Sequence, residues 1–446
     1  MGPIAPGPNC LGRAGTAGGT ALFGLYAVSA VIRFGWDAGV VAEAAATLAD
    51  GGQLGARHLD YFAWFPNNVP LLFVEVVLAR LGALVGVPLV AVLVTLQVVL
   101  VGVVLWSLGR TARVLGHPCG ILPVQAVALL LIGLSPQVSA PYTDIPGAAC
   151  VAVAVTAMTS ASVASTRLMQ GVWAAGAAAS LAAGIVMKPY IVVVLVAVAL
   201  VTLAVVCSGR SWALAGRAVA ALGAGVALVA VTTTGLGLAS QHGTGLTTDR
   251  LQAVRSPFPV ELWLASGTYD DADPSPTRRY GAYNQQLVDA AAGIAYPQSR
   301  RQMLRDQVRE QVTGRSVADN ARFFGSKVTW VWGDGTFWAS GEGTDSRQPS
   351  VHSGGPLRVL SEWTIATGEH YRLQAAVTQG IWLALLLITG LGLIGAPYRR
   401  LTTTWSLSLI GLTGYLMLFE ARPRYLLALL PVLLALTSAG HLPRRH

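Results

Sequence analysis

Charge is what this chain has least of. Only 11% of its 446 residues are Asp, Glu, Lys or Arg, against about 25% in an ordinary soluble domain, which excludes a soluble fold for most of its length. Lysine is scarcer still, two residues against 28 arginines in an Ala/Gly/Val-rich background, a composition that points to a GC-rich bacterial source. The four cysteines (Cys10, Cys119, Cys150, Cys207) are isolated from one another, which excludes a disulfide framework or a thiolate metal knot. There is no Walker loop, no glycine-rich dinucleotide fingerprint after a strand and no His/Cys ligand cluster, so nucleotide-driven and zinc chemistry are not expected. Residues 1–9 are rich in Pro and Gly with no basic cluster, so the first apolar stretch reads as an uncleaved anchor.

What is abundant is apolar sequence, 53% of the chain. Runs such as 87–108, 190–207 and 376–396 carry no charge over the roughly 17–25 residues that cross a bilayer core. Ten spans are expected, near 16–32, 87–108, 120–135, 145–163, 171–187, 190–207, 214–239, 376–396, 402–419 and 425–440. The fold class is therefore an all-α polytopic membrane protein. The net charge of +9 does not mark a nucleic-acid binder: residues 241–372 hold 14 basic and 14 acidic side chains, and the excess sits at helix ends elsewhere, where topology explains it.

With the N-terminus inside, the inner segments collect Arg13, Arg110, Arg113, Arg167, Arg210, Arg217, Arg399, Arg400, Arg444 and Arg445 and no acid. Every carboxylate outside the long polar segment falls on the outer side: Asp37, Glu43, Asp50, Asp60, Glu75, Asp144 and Glu420. That is a positive-inside partition. It requires residues 69–85, apolar but interrupted by Glu75 and Arg80, to lie along the outer interface as an amphipathic or re-entrant helix. Three regions follow. Residues 1–239 form an N-terminal membrane module with a first outer loop at 33–86, residues 240–375 form an extracytoplasmic, mainly helical domain, and residues 376–446 close with membrane helices. A multi-pass plasma-membrane protein with both termini cytoplasmic is expected.

The polar positions that interrupt this apolar chain are the candidates for function, because an ionised group near hydrocarbon is costly. Asp37 follows the first span and reads either as a catalytic carboxylate or as an ion partner for Arg33. After it come Asp60, Trp64, Asn67 and Asn68, where rings and amides suit both a membrane belt and sugar hydroxyls. Tyr142 and Asp144 occupy the next outer turn. Asp144, ahead of Ile145-Pro146, reads equally as a helix cap and as a second carboxylate of the same cavity. Lys188 at the next outer junction is a cation that either snorkels to headgroups or holds a phosphate, and Arg422 and Arg424, in a short outer turn with Glu420, either pair with that acid and with headgroups or bind a phosphate. In the long segment, Trp330, Trp332, Phe337 and Trp338 crowd around Asp334 in a Gly-Asp-Gly-Thr turn, a carbohydrate platform or the core of a cap.

This layout resembles the GT-C superfamily of integral membrane glycosyltransferases. Gly35-Trp36-Asp37 stands where that superfamily carries the essential aspartate of its first outer loop. The Trp64–Pro70 stretch, the Tyr142-x-Asp144-x-Pro146 turn and the Arg422-x-Arg424-Tyr425 sequence before a Leu/Pro-rich last helix also match. The long segment is similar to Gram-positive members of this type in its Pro-Asn-Asn turn, in Gly281-x-Tyr283-Asn284 and in the Lys327–Thr336 stretch. The resemblance implies a GT-C-like bundle of about ten helices with interfacial helices in the first outer loop. It implies transfer of a monosaccharide from a polyprenyl-phosphate donor to a glycan, lipid or protein acceptor in the cell envelope, with inversion. Asp37 would be the general base, helped by Asp144. Lys188, Arg422 and Arg424 would bind the donor phosphate, and Asp60, Trp64, Asn67, Asn68, Tyr142, Trp332 and Asp334 would bind sugar or acceptor. Well-known members carry an Asp-Glu pair where this chain has Asp37-Ala38, so no metal or other cofactor is expected; the partners are the lipid-linked donor, membrane lipid and the acceptor, with no nucleic acid. A secondary transporter or flippase of a lipid-linked or small anionic substrate is the competing expectation, although no internal repeat supports it.

Overall fold

A computed structural model describes residues 8–29, 35–134, 141–208, 212–270, 280–337, 358–364, 368–394 and 399–440. Among these the chain is helical with no strand, and the protein is an all-α polytopic membrane protein. In order, the helices are α1 (Pro8–Ser29), α2 (Trp36–Ala49), α3 (Ala56–Trp64), α4 (Val69–Leu84), α5 (Leu89–Val114), α6 (Ile121–Ala128, extended by a π-turn at Leu129–Gly133), α7 (Asp144–Val163), α8 (Arg167–Met187), α9 (Val192–Cys207) and α10 (Trp212–Thr244). A polar segment follows with α11 (Thr248–Val254), α12 (Glu261–Thr268), α13 (Gln285–Ala292), α14 (Pro297–Thr313), α15 (Val317–Gly333) and α16 (Arg358–Thr364). The chain closes with α17 (Tyr371–Leu393), α18 (Arg400–Leu418) and α19 (Leu430–Gly440), the last entered through a 3-10 stretch at Pro423–Leu429.

Eight helices among the described residues are long and apolar enough to cross a membrane, and Pro118–Gly133 and Pro423–Ala439 are shorter apolar helices. Helix α1 is not among the eight. Its run of glycines, with Arg13, dilutes its hydropathy, and it earns its place through packing. Gly12 faces Arg113, Gly19 faces Leu105 and Gly24 faces Val98, so α1 runs antiparallel to α5 at close approach. Small residues let membrane helices meet in this way. Gln125 of α6 fills the polar seam, donating to Thr16 Oγ1 at 2.9 Å and to the Leu105 carbonyl at 3.0 Å.

The Pro66–Leu84 stretch is one of the eight, and the contacts decide what it does. Its start, Asn68, is bonded to Tyr61 and Tyr142, and its last turn at Gly82 meets Val87 and Val92 at the beginning of α5. Helix α5 runs parallel to α7, the Thr111 and Thr156 hydroxyls meeting 2.9 Å apart in the half of each helix away from its start. The beginning of α5 therefore lies at the end of the bundle that carries Tyr142 and Asp144. Both ends of the continuous helix α4 lie at that end of the bundle, so the helix runs along it. Its Glu75 does not lie on an outward polar face, as the amphipathic expectation has it: it is 1% exposed, whereas Arg80 is exposed and reaches the Leu48 carbonyl.

Among the described residues, the seven long apolar helices besides α4, the two shorter apolar stretches and α1 make up the bundle, and the polar segment sits across one end. Its own small core is Leu262, Ala265, Leu287, Val288, Ala291 and Leu304. Local signals set its helices: Asn284 caps α13 by accepting from Leu287 N, and Ser316 caps α15 by accepting from Asp319 N while its hydroxyl donates to the Asp319 carboxylate, a reciprocal arrangement of the capping-box kind. Arg13, Arg110, Arg113, Arg167, Arg217, Arg399 and Arg400 gather at the opposite end of the bundle. Arg210, Arg444 and Arg445 lie outside the described residues.

Candidate active site

Four helix termini converge at the end covered by the polar segment. Asp37 lies in the first turn of α2, where the unpaired amides of a helix start favour a carboxylate. Its Oδ1 accepts from Tyr61 OH at 2.8 Å and its Oδ2 from Tyr142 OH at 3.3 Å. Asn68 ties the two tyrosines together: its Nδ2 donates to Tyr61 OH at 2.6 Å and its Oδ1 accepts from Tyr142 OH at 3.2 Å. Asn67, exposed beside it, donates to the same Oδ1 at 3.4 Å. Burial first, and then the neighbouring Tyr142 and Asp37, push the Tyr61 hydroxyl well above its ordinary pKa, so it stays protonated and serves as a donor to the carboxylate.

Tyr142 is the hinge between this carboxylate and the cations. Lys188 Nζ lies 5.3 Å from its ring centroid and Arg424 Cζ 5.7 Å. Lys188 pairs with Asp144 at 2.8 Å, both side chains 8% exposed. Asp144 is thus the first residue of α7 with Thr143 as its cap position, and its side chain spends itself on the lysine. Arg422 pairs with Glu420 at 3.3 Å, and Tyr425 OH donates to the same Glu420 oxygen at 2.8 Å. The Arg422 guanidinium sits between two rings, 5.9 Å from Trp36 and 5.2 Å from Tyr283. Three carboxylates and three cations therefore balance across one polar cluster. Burial pushes the Glu420 carboxyl up to about 7, against the pull of Tyr425 and Arg424.

The polar segment holds the turn that carries the arginines. Lys327 of α15, 1% exposed, donates to the carbonyls of Gly267 (2.6 Å), Phe419 (2.8 Å) and Met417 (3.1 Å). Its three protons meet three acceptors. Glu420 N donates to the Trp263 carbonyl at 2.8 Å and Ala421 N to the Gly281 carbonyl at 3.0 Å. Gly281 has φ +75°, and a Cβ there would overlap the Gly267 carbonyl oxygen, so only glycine fits. The Gly-x-Tyr-Asn and Lys…Trp elements of the sequence thus build a clamp beneath Glu420, Arg422 and Arg424.

The remaining candidates serve the joints around the cluster. Asp60 pairs with Arg255 at 2.7 Å. Trp64 stacks on Phe258 with centroids 4.2 Å apart, and Arg300 Cζ lies 4.6 Å over its ring, so both residues join the first loop to the polar segment. Trp332 stacks 6.1 Å from Trp382 of α17 and its indole N–H donates to Thr413 of α18. Asp334 closes its own turn, accepting from Thr336 N and Oγ1 at 2.9 and 2.6 Å, while Gln379 bonds Gly335 N and the Gly333 carbonyl. These aromatics pack a seam between α15, α17 and α18. Trp338 and Arg33 lie outside the described residues. Sequence reasoning gave no site role to Tyr61, Tyr190, Tyr283, Lys327 or Tyr425, although Tyr283, Lys327 and Tyr425 stood in its motifs; all five line or brace the cluster. Each is a polar residue in an aromatic or apolar context, and only tertiary contact sets it apart from a belt residue. Among the described residues no group of three His, Cys, Asp or Glu side chains converges as a metal site.

The model of one protein family, described as conserved hypothetical integral membrane protein, matches residues 21–441. No curated protein matches the chain. The family match covers the bundle, the polar segment and every residue of the cluster, and by that match the chain belongs to this family of conserved integral membrane proteins.

Proposed function

We propose that this protein is a membrane glycosyltransferase that moves a monosaccharide from a polyprenyl-phosphate donor to an acceptor at the extracytoplasmic face of the plasma membrane. The observation that carries the reading is the link through Tyr142: one carboxylate and two cations meet around a single phenol at one end of the bundle. The arginines at the opposite end, with no acid among the described residues there, support a cytoplasmic location for that end. Asp37 takes the proton from the acceptor hydroxyl. The oxygen attacks the anomeric carbon, the new C–O bond forms with inversion, and the bond to the phosphate oxygen breaks with its electron pair leaving on the phosphate. Arg424, with Arg422, meets that growing charge. Lys188 contributes by sharing its ammonium between the phosphate and Asp144. Asn68 and Tyr61 hold Asp37 in place. The buried charged residues of the described chain lie in or beside this end and the polar segment, whereas a transporter needs its charges near the middle of the bundle.

The test is transfer of labelled sugar from polyprenyl-phosphate donors by membranes carrying Asp37→Asn. The expected outcome is a loss of about a hundred-fold or more in rate at unchanged membrane yield. Wild-type turnover by that variant rejects the reading. Mass-spectrometric comparison of envelope glycans with and without the protein identifies the product.

A further inference from the structure

Trp36 is set apart from the other exposed aromatics by its backbone. Its φ is +54°, in the left-handed region, where a bulky side chain is strained and persists only if its surroundings hold it. The residue is 51% exposed. A tryptophan that merely anchors in lipid headgroups needs no such backbone. Here the left-handed residue stands directly before Asp37, and its ring lies 5.9 Å from the guanidinium of Arg422, which is itself 3% exposed. Arg422 thus braces the ring, and Tyr283 from the polar segment braces Arg422 on another side at 5.2 Å. The result is a fixed indole, backed by a buried cation, with half its surface open beside the carboxylate.

We infer that the acceptor is a carbohydrate and that one of its sugar rings stacks on the open surface of the Trp36 indole. A sugar ring carries a C–H face suited to an aromatic surface and hydroxyls around its edge. Stacked there, it presents a hydroxyl to Asp37 while the exposed Asn67 amide offers a donor and an acceptor to its neighbours. The strained residue before the carboxylate then has a reason: it aims the platform and the base at the same ring. This inference rests on the glycosyltransferase reading and narrows its acceptor to one chemical class.

The experiment reads binding without turnover. Purified protein in lipid nanodiscs is presented with methyl pyranosides and methyl furanosides of the common hexoses and pentoses, and contact is followed by saturation-transfer NMR. Wild type saturates one or more of them; Trp36→Ala and Trp36→Leu, the second keeping apolar bulk, lower the binding about five-fold, and Trp36→Phe keeps it within about two-fold. Size-exclusion profiles and thermal melts of the same samples establish that the variants are folded. Equal binding by Trp36→Leu and wild type overturns the inference and leaves the base role of Asp37 standing. So does a wild type that saturates none of the glycosides, including one that instead binds a Ser/Thr peptide or a lysolipid. Sugar binding lost with Trp36, in a protein that transfers nothing from any polyprenyl-phosphate donor, overturns the transferase reading and keeps the platform.

Discussion

Tyr142 joins the two halves of the polar cluster through different parts of one side chain. Its hydroxyl reaches Asp37 and Asn68, and its ring faces Lys188 and Arg424. Tyr142→Phe removes the first set and keeps the second, so transfer is expected to fall about ten-fold, the worth of one hydrogen bond to a charged group, at unchanged thermal stability. Tyr142→Ala is expected to lose stability as well, measured by a detergent melt. The Asp144–Lys188 pair makes a contrasting prediction. Both side chains are 8% exposed, so Asp144→Asn or Lys188→Met alone strands a buried charge and costs about 3–5 kcal/mol of stability, whereas the double variant recovers most of it. Asp37, Asp144, Lys188 and the two arginines were legible in the sequence because a charge in so apolar a chain stands out. The Arg422–Glu420 pair was one of the readings open there, whereas the Asp144–Lys188 pair was not. Asp144 read equally as a helix cap and as a second acid, and nothing local reveals that the lysine closing the same α7–α8 hairpin neutralises it.

The turn from α18 to α19 behaves as one element with the polar segment. Its hold is the Lys327 ammonium on three carbonyls together with the Gly281 backbone. Gly281→Ala is expected to lower stability by about 1–3 kcal/mol and to open residues 248–337 to limited proteolysis before the membrane helices unfold. The same turn carries a pH dependence. Tyr425, Arg422, Arg424, Asp37 and Lys327 surround Glu420, and burial raises its carboxyl from 4.5 to about 7. The folded state therefore binds a proton that the unfolded state has released. Its contribution is full below 4.5 and is lost as pH rises through about 7, so stability attributable to this group falls across that window. Melts between pH 5 and 7 are expected to show this slope in wild type and a flatter one in Glu420→Gln. Lys327, pushed down to about 7 by burial, stays protonated over most of that range. At this scale helix positions were readable from apolar runs. The packing of the aromatics around Asp334 was not, since a sugar platform and a packed seam share a composition, and the stacking of Trp332 on Trp382 is a contact that composition does not reveal.

For the molecule as a whole, the positive-inside pattern and the apolar runs gave the bundle, and the decisive ambiguity was residues 66–84. Length and composition alone make them a span; the buried Glu75 and the contacts at both ends return them to one side. Single cysteines placed at Leu84 and Tyr296, in a background free of the native cysteines, are expected to react with an impermeant maleimide from the same face of the membrane. One placed at Val163 is expected to react only from the other. Labelling of positions 84 and 296 from opposite faces would sink the arrangement. The cluster also draws on both extremes of the chain: Asp37 belongs to the first loop, and Arg422 and Arg424 to the turn before the last helix. During biogenesis the carboxylate emerges early and waits for Arg422 and Arg424, which follow it by 385 and 387 residues. On the proposed transferase reading, a nascent chain still in the translocon is expected to be inert toward lipid carriers, and two co-expressed fragments divided between α17 and α18 to gain activity only on assembly.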